Sequence, residues 1–194
     1  MSSLRTALER AARDLNQLRV SWAVVGGLAV SARAEPRFTR DVDVTVAVRS
    51  DAEAEALVFA LKGLGYGVLA TVEQDATKRL ATARLSSPGE TLIVVDLLFA
   101  SSGIEAETVA DAKVIEVLAG LFMPVATIPT LLALKVLSWS ERRPRDAEDI
   151  QAMVREAAPA ELDLVPPLLR LITERGFART KDLQAEWLRL RALE

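Results

Sequence analysis

Three aspartates mark where this sequence could do chemistry. Asp41 and Asp43 stand in the run Arg40-Asp41-Val42-Asp43-Val44, where the valines read as β-strand and put the two carboxylates at i and i+2. Side chains alternate faces along a strand, so both acids share one face, about 6–7 Å apart along the rise. Carboxylates buried that close raise each other's pKa unless a cation neutralises them, and a hard divalent ion with oxygen ligands is suited to that. The alternative is two exposed aspartates at a strand end. Asp96 is the one charge in Thr91-Leu92-Ile93-Val94-Val95-Asp96-Leu97-Leu98-Phe99, and a carboxylate in such a run is costly unless it is paired or metal-bound. Bonded to loop amides or an arginine, it would be structural. Converging on Asp41 and Asp43, it completes a three-acid site able to hold two magnesium ions roughly 3.5–4 Å apart for phosphoryl or nucleotidyl transfer.

The elements around these acids have to position them. An apolar strand, Ser21 to Val25, ends in Gly26-Gly27, and a helix over about Leu28 to Ala34 stops before Pro36. Glycines between strand and helix leave backbone N–H groups free to approach a phosphate; a plain tight turn is the other reading. The acid pair follows on a strand over about 42–48. Upstream, Leu4, Leu8, Ala11, Leu15 and Leu18 have helical spacing, with Ser2 or Ser3 as a cap. Downstream, Ser50-Asp51 caps a helix to about Leu64, with Ala52, Ala56, Val58, Phe59 and Leu61 assigned to its apolar side. Gly63-Leu64-Gly65-Tyr66-Gly67 follows a helix and enters a strand, the reverse of the order a phosphate loop requires. Strands are expected over 66–72, 79–86 and 92–99, the last two joined as a hairpin through Ser87-Pro88-Gly89-Glu90. The strand carrying Asp96 is apolar on both sides and is therefore expected inside the sheet.

Composition narrows the chemistry. The chain has 194 residues, 51% hydrophobic and 26% charged, with a net charge of −3, which reads as one globular unit with a real core. No apolar run reaches membrane length and no leader pattern is present, so the expectation is a cytoplasmic protein with no membrane partner. Cysteine and histidine are both absent. That removes thiol chemistry and a histidine base, argues against zinc, and leaves carboxylates with magnesium or manganese.

Gly26-Gly27, then Arg37-Phe38-Thr39-Arg40-Asp41-Val42-Asp43-Val44, then Asp96 resemble the minimal nucleotidyltransferases of the DNA polymerase β superfamily. Within it, the Arg-x-Thr-x-Asp-Val-Asp wording resembles the AbiEii-type nucleotidyltransferase toxins of toxin–antitoxin pairs. The likeness continues through a hairpin around Ala119-Gly120, a helix opened by Pro129 that carries Lys135, and Arg142-Arg143-Pro144-Arg145-Asp146-Ala147-Glu148-Asp149-Ile150. Arg145 stands where these toxins usually have lysine, so a donor fork replaces a point charge. The likeness covers about residues 20–152, and the remainder matches by helical character only.

The resemblance implies an α/β (α+β) nucleotidyltransferase-like fold: a mixed, largely antiparallel sheet flanked by helices over 1–128, and a helical C-terminal region over 129–194. It implies transfer of a nucleoside monophosphate from an NTP to an acceptor hydroxyl, with Mg2+ (or Mn2+) on Asp41, Asp43 and Asp96. Lys135 joins the catalytic set by contacting the triphosphate; read on its own, it is a lysine on an apolar helix that needs an acid or a phosphate. Gly26, Gly27, Arg37, Thr39, Arg40, Arg145, Asp146 and Asp149 are assigned to substrate. Asp146 and Asp149 share one face at a helix start, where they could orient Lys135 or the acceptor, cap the helix, or pair with Arg142 or Arg145. The acceptor could be a tRNA 3′ end, a protein hydroxyl or a small molecule such as an aminoglycoside, and a cognate antitoxin is an expected partner. A non-catalytic nucleotide-binding scaffold and a dimerisation domain built on the leucine-rich helices are the competing readings. The late helices, about 166–175 and Thr180 to Leu193, carry an apolar stripe of Leu183, Trp187 and Leu190, assigned to packing.

Overall fold

The computed structural model describes residues 3–89 and 92–192; Ser2 as a cap, Glu90 and Thr91 at the hairpin, and Leu193 lie outside the described residues. Seven strands form one mixed sheet: β1 (Trp22–Val24), β2 (Val42–Val46), β3 (Gly67–Glu73), β4 (Leu80–Ser86), β5 (Val94–Leu98), β6 (Lys113–Leu118) and β7 (Leu121–Val125). Their spatial order is β3-β4-β5-β2-β1-β7-β6. Adjacent strands pair antiparallel except β1 with β7 and β2 with β5, which are parallel. The strand bearing Asp96 is therefore interior, flanked by β4 and β2.

One sheet face is apolar. Val42, Val44 and Val46 of β2, Ala81, Ala83 and Leu85 of β4, and Val95 and Leu97 of β5 alternate onto it and are all buried. Trp22 is paired in register with Val46, and its indole N–H donates to Asn16 of helix α1 (Ser3–Gln17), which packs there. Helix α3 (Asp51–Gly63) is tied to α1 through Arg10, which donates to the Leu64 carbonyl. Ser50 caps α3 by accepting from the Glu53 N–H.

The inward stripe of α3 differs from the expected one. Ala54, Leu57 and Leu61 are its buried residues; of those expected there, Leu61 is buried and Val58 half-buried, whereas Ala52, Ala56 and Phe59 are exposed, Phe59 to 77%. Ala54, Leu57 and Leu61 keep the i, i+3, i+7 spacing of one helix face, and Phe59 lies off it. A short helix, α4 (Glu105–Asp111), also precedes the β6–β7 hairpin, where no helix was expected.

After Val125 the described chain is helical. Helix α5 (Ile128–Ser138) is apolar nearly all round and contacts α2 (Gly26–Arg33), α6 (Pro144–Glu156), the short α7 (Pro159–Leu162), α8 (Val165–Glu174) and α9 (Leu183–Arg191). A helix surrounded in this way can be hydrophobic on every side. Leu183, Trp187 and Leu190 of α9 are buried against this assembly. Among the described residues no helix is long and apolar enough to cross a membrane.

Candidate active site

The register of the sheet brings two of the three acids side by side. Asp43 on β2 is directly opposite Asp96 on the parallel strand β5, so both side chains leave the same face, the one opposite the buried valines. Asp41 precedes Asp43 by two residues and lies immediately before β2. Its field reaches Asp43, whose carboxyl is pushed up to about 6 by burial first, then by Asp96 and by Asp41. The Gly27 backbone N–H, donating to that carboxylate, and the positive charge of Lys135 oppose the rise.

The two glycines make this approach possible. Gly26 has φ +63°, and a Cβ there would fall 2.0 Å from Asp43 Oδ2. At Gly27 a Cβ would meet Arg37 Nη2 at 2.7 Å and Thr39 Oγ1 at 2.8 Å. The Gly-Gly pair is thus a tight turn and also the surface on which the Asp43 carboxylate rests, with helix α2 starting beneath it.

A cavity of about 480 Å³ opens onto Asp41 and Asp43. Gly27, Thr39, Arg37, Arg40 and Arg145 wall it, together with Phe38, which is 71% exposed and lies under the Arg40 guanidinium. Three arginines facing two aspartates suit a polyanion that arrives with cations. Gly26, Asp96, Lys135, Asp146 and Asp149 do not line this cavity; Gly26 and Asp96 adjoin it through Asp43, and Asp149 through Arg37.

Asp96 has a partner that the sequence reading did not single out. Arg84, directly opposite it on β4, donates from Nε to Asp96 Oδ1 at 2.9 Å and from Nη2 to Oδ2 at 2.7 Å. Asp96 thus lies on the same face as Asp43 and is also bonded to an arginine. Arg84 was legible in principle: it is the only charge in Leu80-Ala81-Thr82-Ala83-Arg84-Leu85-Ser86, and a short hairpin turn brings it near Asp96. Among the described residues, no group of three acidic side chains is already arranged as metal ligands, which is consistent with both oxygens of the third acid being held by Arg84. The donor set still fits a hard divalent cation. It is all oxygen, and Asp43 is raised by burial first and then by the negative charges of Asp96 and Asp41, the last two of which a cation would offset.

Behind the cavity lies a buried network. Lys135 Nζ donates to Asp146 Oδ1 at 2.7 Å and sits 2.7 Å from Asp149 Oδ2. Arg37 Nε is 2.9 Å from Asp149 Oδ1. Ser138 donates to the other Asp146 oxygen at 2.9 Å. The two contacts of Asp149 are close ion pairs without hydrogen-bond geometry, since Arg37 Nε and Asp149 Oδ2 have no hydrogen-bond partner. Two cations and two anions make the network neutral. The acids of α6 pair with Lys135 and Arg37; among the described residues neither Arg142 nor Arg145 pairs with them.

A family model described as nucleotidyl transferase AbiEii toxin, type IV TA system, matches residues 7–192. An antigenic nucleotidyltransferase-like protein from Paracoccidioides brasiliensis has a similar structure, with a TM-score of 0.52 at 21% identity over 97% of this chain and 94% of that one. ANT(2″)-Ia, solved in complex with adenylyl-2″-tobramycin, gives a TM-score of 0.56 at 17% identity over 90% of this chain and 99% of that one. The lincosamide antibiotic adenylyltransferase LnuA, solved with lincomycin bound, gives 0.51 at 13% identity over 78% and 97%. At these identities the likeness to solved structures is one of fold. No curated protein matches the chain.

Proposed function

The chain belongs to the AbiEii nucleotidyltransferase toxin family and is a nucleotidyltransferase; from that premise we propose that it moves a nucleoside monophosphate from an NTP to the hydroxyl of a tRNA end or a protein. The observation that carries this reading is the register pairing of Asp43 with Asp96, next to a cavity walled by Arg37, Arg40 and Arg145. Asp41, Asp43 and Asp96 are the residues that would hold magnesium or manganese, Asp96 after exchanging Arg84 for the cation. A divalent ion bound there supplies neutralisation of the triphosphate and of the charge that develops as pyrophosphate leaves.

The chain's own residues supply the remainder. Arg37, Arg40 and Arg145 bind the phosphates, and the Gly27 turn seats them against the start of α2. Lys135, held by Asp146 and Asp149, keeps a fixed positive charge behind the acids. The acceptor oxygen attacks the α-phosphorus, the bond to the bridging oxygen breaks, and pyrophosphate departs. Asp96 takes the proton of the acceptor hydroxyl. Positioning and charge neutralisation account for most of the acceleration in such chemistry.

The test uses α-labelled NTPs with magnesium, total tRNA and a whole-cell lysate. Expected are label on one macromolecular fraction, release of pyrophosphate, and loss of both in Asp43→Asn with the fold intact by circular dichroism. Label on no acceptor, with NTP binding unchanged in Asp43→Asn, would instead make the chain a nucleotide-binding scaffold. Label on an added aminoglycoside alone would make it a drug-modifying enzyme. Family membership also implies a cognate antitoxin, so expression should arrest growth and Asp41→Ala should relieve the arrest. We place this action in the cytoplasm, where NTPs are available.

A further inference from the structure

Of the large apolar side chains that stand exposed among the described residues, Phe38 alone borders the cavity that opens onto Asp41 and Asp43. Among the described residues lining that cavity it is also the one aromatic group; the others are glycine, threonine, arginine and aspartate. Single exposed apolar residues are ordinary on a protein surface. Phe59 and Phe122 are of that ordinary kind, comparably exposed but lining no part of this cavity. Phe38 differs from them in standing where a substrate would sit.

Its chain neighbours hold it there. Arg37 and Thr39 turn toward Gly27, where an added Cβ would meet Arg37 Nη2 and Thr39 Oγ1. The Arg37 backbone N–H donates to Ser31 Oγ at 3.2 Å, and the Arg37 guanidinium reaches Asp149. The Arg40 guanidinium lies over the Phe38 ring, 5.4 Å from its centroid, within cation–π range. The segment is thus tied down on both sides of position 38. Arg40 covers one face of the ring, and 71% of the residue is open. Asp41 follows Phe38 by three positions, a span of at most about 11 Å of chain.

An NTP brings two unlike parts to this cavity. Its triphosphate answers to Arg37, Arg40 and Arg145 and to cations on the acids. Its base is flat and apolar on both faces, and it lies one ribose away from the phosphates. In a wall built of charges, the Phe38 ring is the surface that matches a flat π-face. The acceptor has a different approach: Asp96, which takes its proton, does not line this cavity and stands on β5.

We propose that Phe38 is the platform on which the base of the NTP stacks, through the ring face that Arg40 leaves open. The proposal rests on the nucleotidyltransferase reading and extends it from the phosphates to the nucleoside. Every base presents a π-face, so stacking here favours a nucleoside triphosphate over a bare triphosphate without choosing among the four bases.

The test is calorimetry in magnesium with ATP, CTP and inorganic tripolyphosphate, on the parent, Phe38→Ala and Phe38→Trp. The parent should bind both nucleotides more tightly than tripolyphosphate. Phe38→Ala should raise the Kd for ATP and for CTP by at least about fivefold and leave that for tripolyphosphate within about twofold. It should also melt with the parent, because the ring is exposed. Phe38→Trp should keep nucleotide affinity, and its fluorescence should be quenched by either nucleotide, beyond any change in the parent, and not by tripolyphosphate. Nucleotide binding unchanged in Phe38→Ala overturns the proposal. An equal loss for tripolyphosphate also overturns it, since Phe38 would then only prop the arginines. A change seen only in the acceptor's KM does the same by placing the ring on the acceptor. If the parent binds neither nucleotide nor tripolyphosphate, the placement of NTP in this cavity fails and the proposal with it. Nucleotide binding that ignores Phe38 leaves that placement intact.

Discussion

At the scale of single residues, Arg84 and Asp43 define the resting state of the site. Arg84 compensates the buried charge of Asp96 through two hydrogen bonds, and a cation that needs Asp96 must displace it. Arg84→Met should leave that carboxylate without a partner and lower stability by about 1–2 kcal/mol, less than for a fully buried pair because the guanidinium is half exposed. The same variant should show a larger thermal shift on adding Mn2+ than the parent does. An equal shift would mean that Arg84 and the cation do not compete. Asp43 makes a prediction in pH. Its folded pKa of about 6 lies above the ordinary carboxylate value, so between about pH 4 and 6 the folded state holds more proton than the unfolded one. Stability from this group is therefore present at low pH and is lost as pH rises to about 6, by up to about 3 kcal/mol. Asp43→Asn should flatten that part of the metal-free stability profile in urea titrations and be more stable than the parent at pH 8. A parallel profile would show that burial and the neighbouring acids do not hold Asp43 above its ordinary value.

At the scale of elements, the turn from β1 into α2 shows what a sequence can and cannot reveal. Gly26-Gly27 ahead of an Asp-x-Asp strand was readable as a junction. That a Cβ at position 26 would enter the Asp43 carboxylate depends on a strand contact that no local pattern encodes. Gly26→Ala faces both a left-handed φ and that collision, so it should abolish transfer and lower the melting temperature by several degrees. Retained activity would show that the turn can relax. The strands and the β4–β5 hairpin were legible from alternation and turn chemistry. The stripe of α3 was not, because Ala54 and Leu57 are no more apolar than their neighbours and only tertiary packing, which includes contact with β4, selects them. Helix α4 was missed because Glu105-Ala106-Glu107-Thr108-Val109-Ala110-Asp111 has almost no apolar period. It is anchored instead by Glu105, whose Oε1 accepts from the backbone and hydroxyls of Ser101 and Ser102. Asp96 stood out as a lone acid in an apolar run. Its partner Arg84 is likewise the only charge in its own strand, but the pairing of the two follows only from the register of the hairpin.

At the scale of the whole molecule, the sheet and the C-terminal helices have to be locked together for the cavity arginines to face the acids. Two ion pairs link the segment after α2 to α6, and their burial decides which one matters. Arg155 with Glu35 is 2.7 Å long but both side chains are more than half exposed, so removing it should change stability by less than about 1 kcal/mol. Asp149 is 3% exposed and holds both Arg37 of the cavity wall and Lys135 of α5. Asp149→Ala leaves two cations facing a single remaining acid, Asp146, in a buried space. Breaking a buried pair from one side costs about 3–5 kcal/mol, which for a chain of this length lowers the melting temperature by on the order of 10 °C. Because the same carboxylate aims Arg37 into the cavity, the NTP Kd should rise at least tenfold in Asp149→Ala and stay unchanged in Glu35→Ala. Thermal melts and calorimetric titration of both variants check this together. A stable Asp149→Ala that binds NTP normally would mean that the helical region does not position the site, and that the sheet with its Gly-Gly turn does so alone.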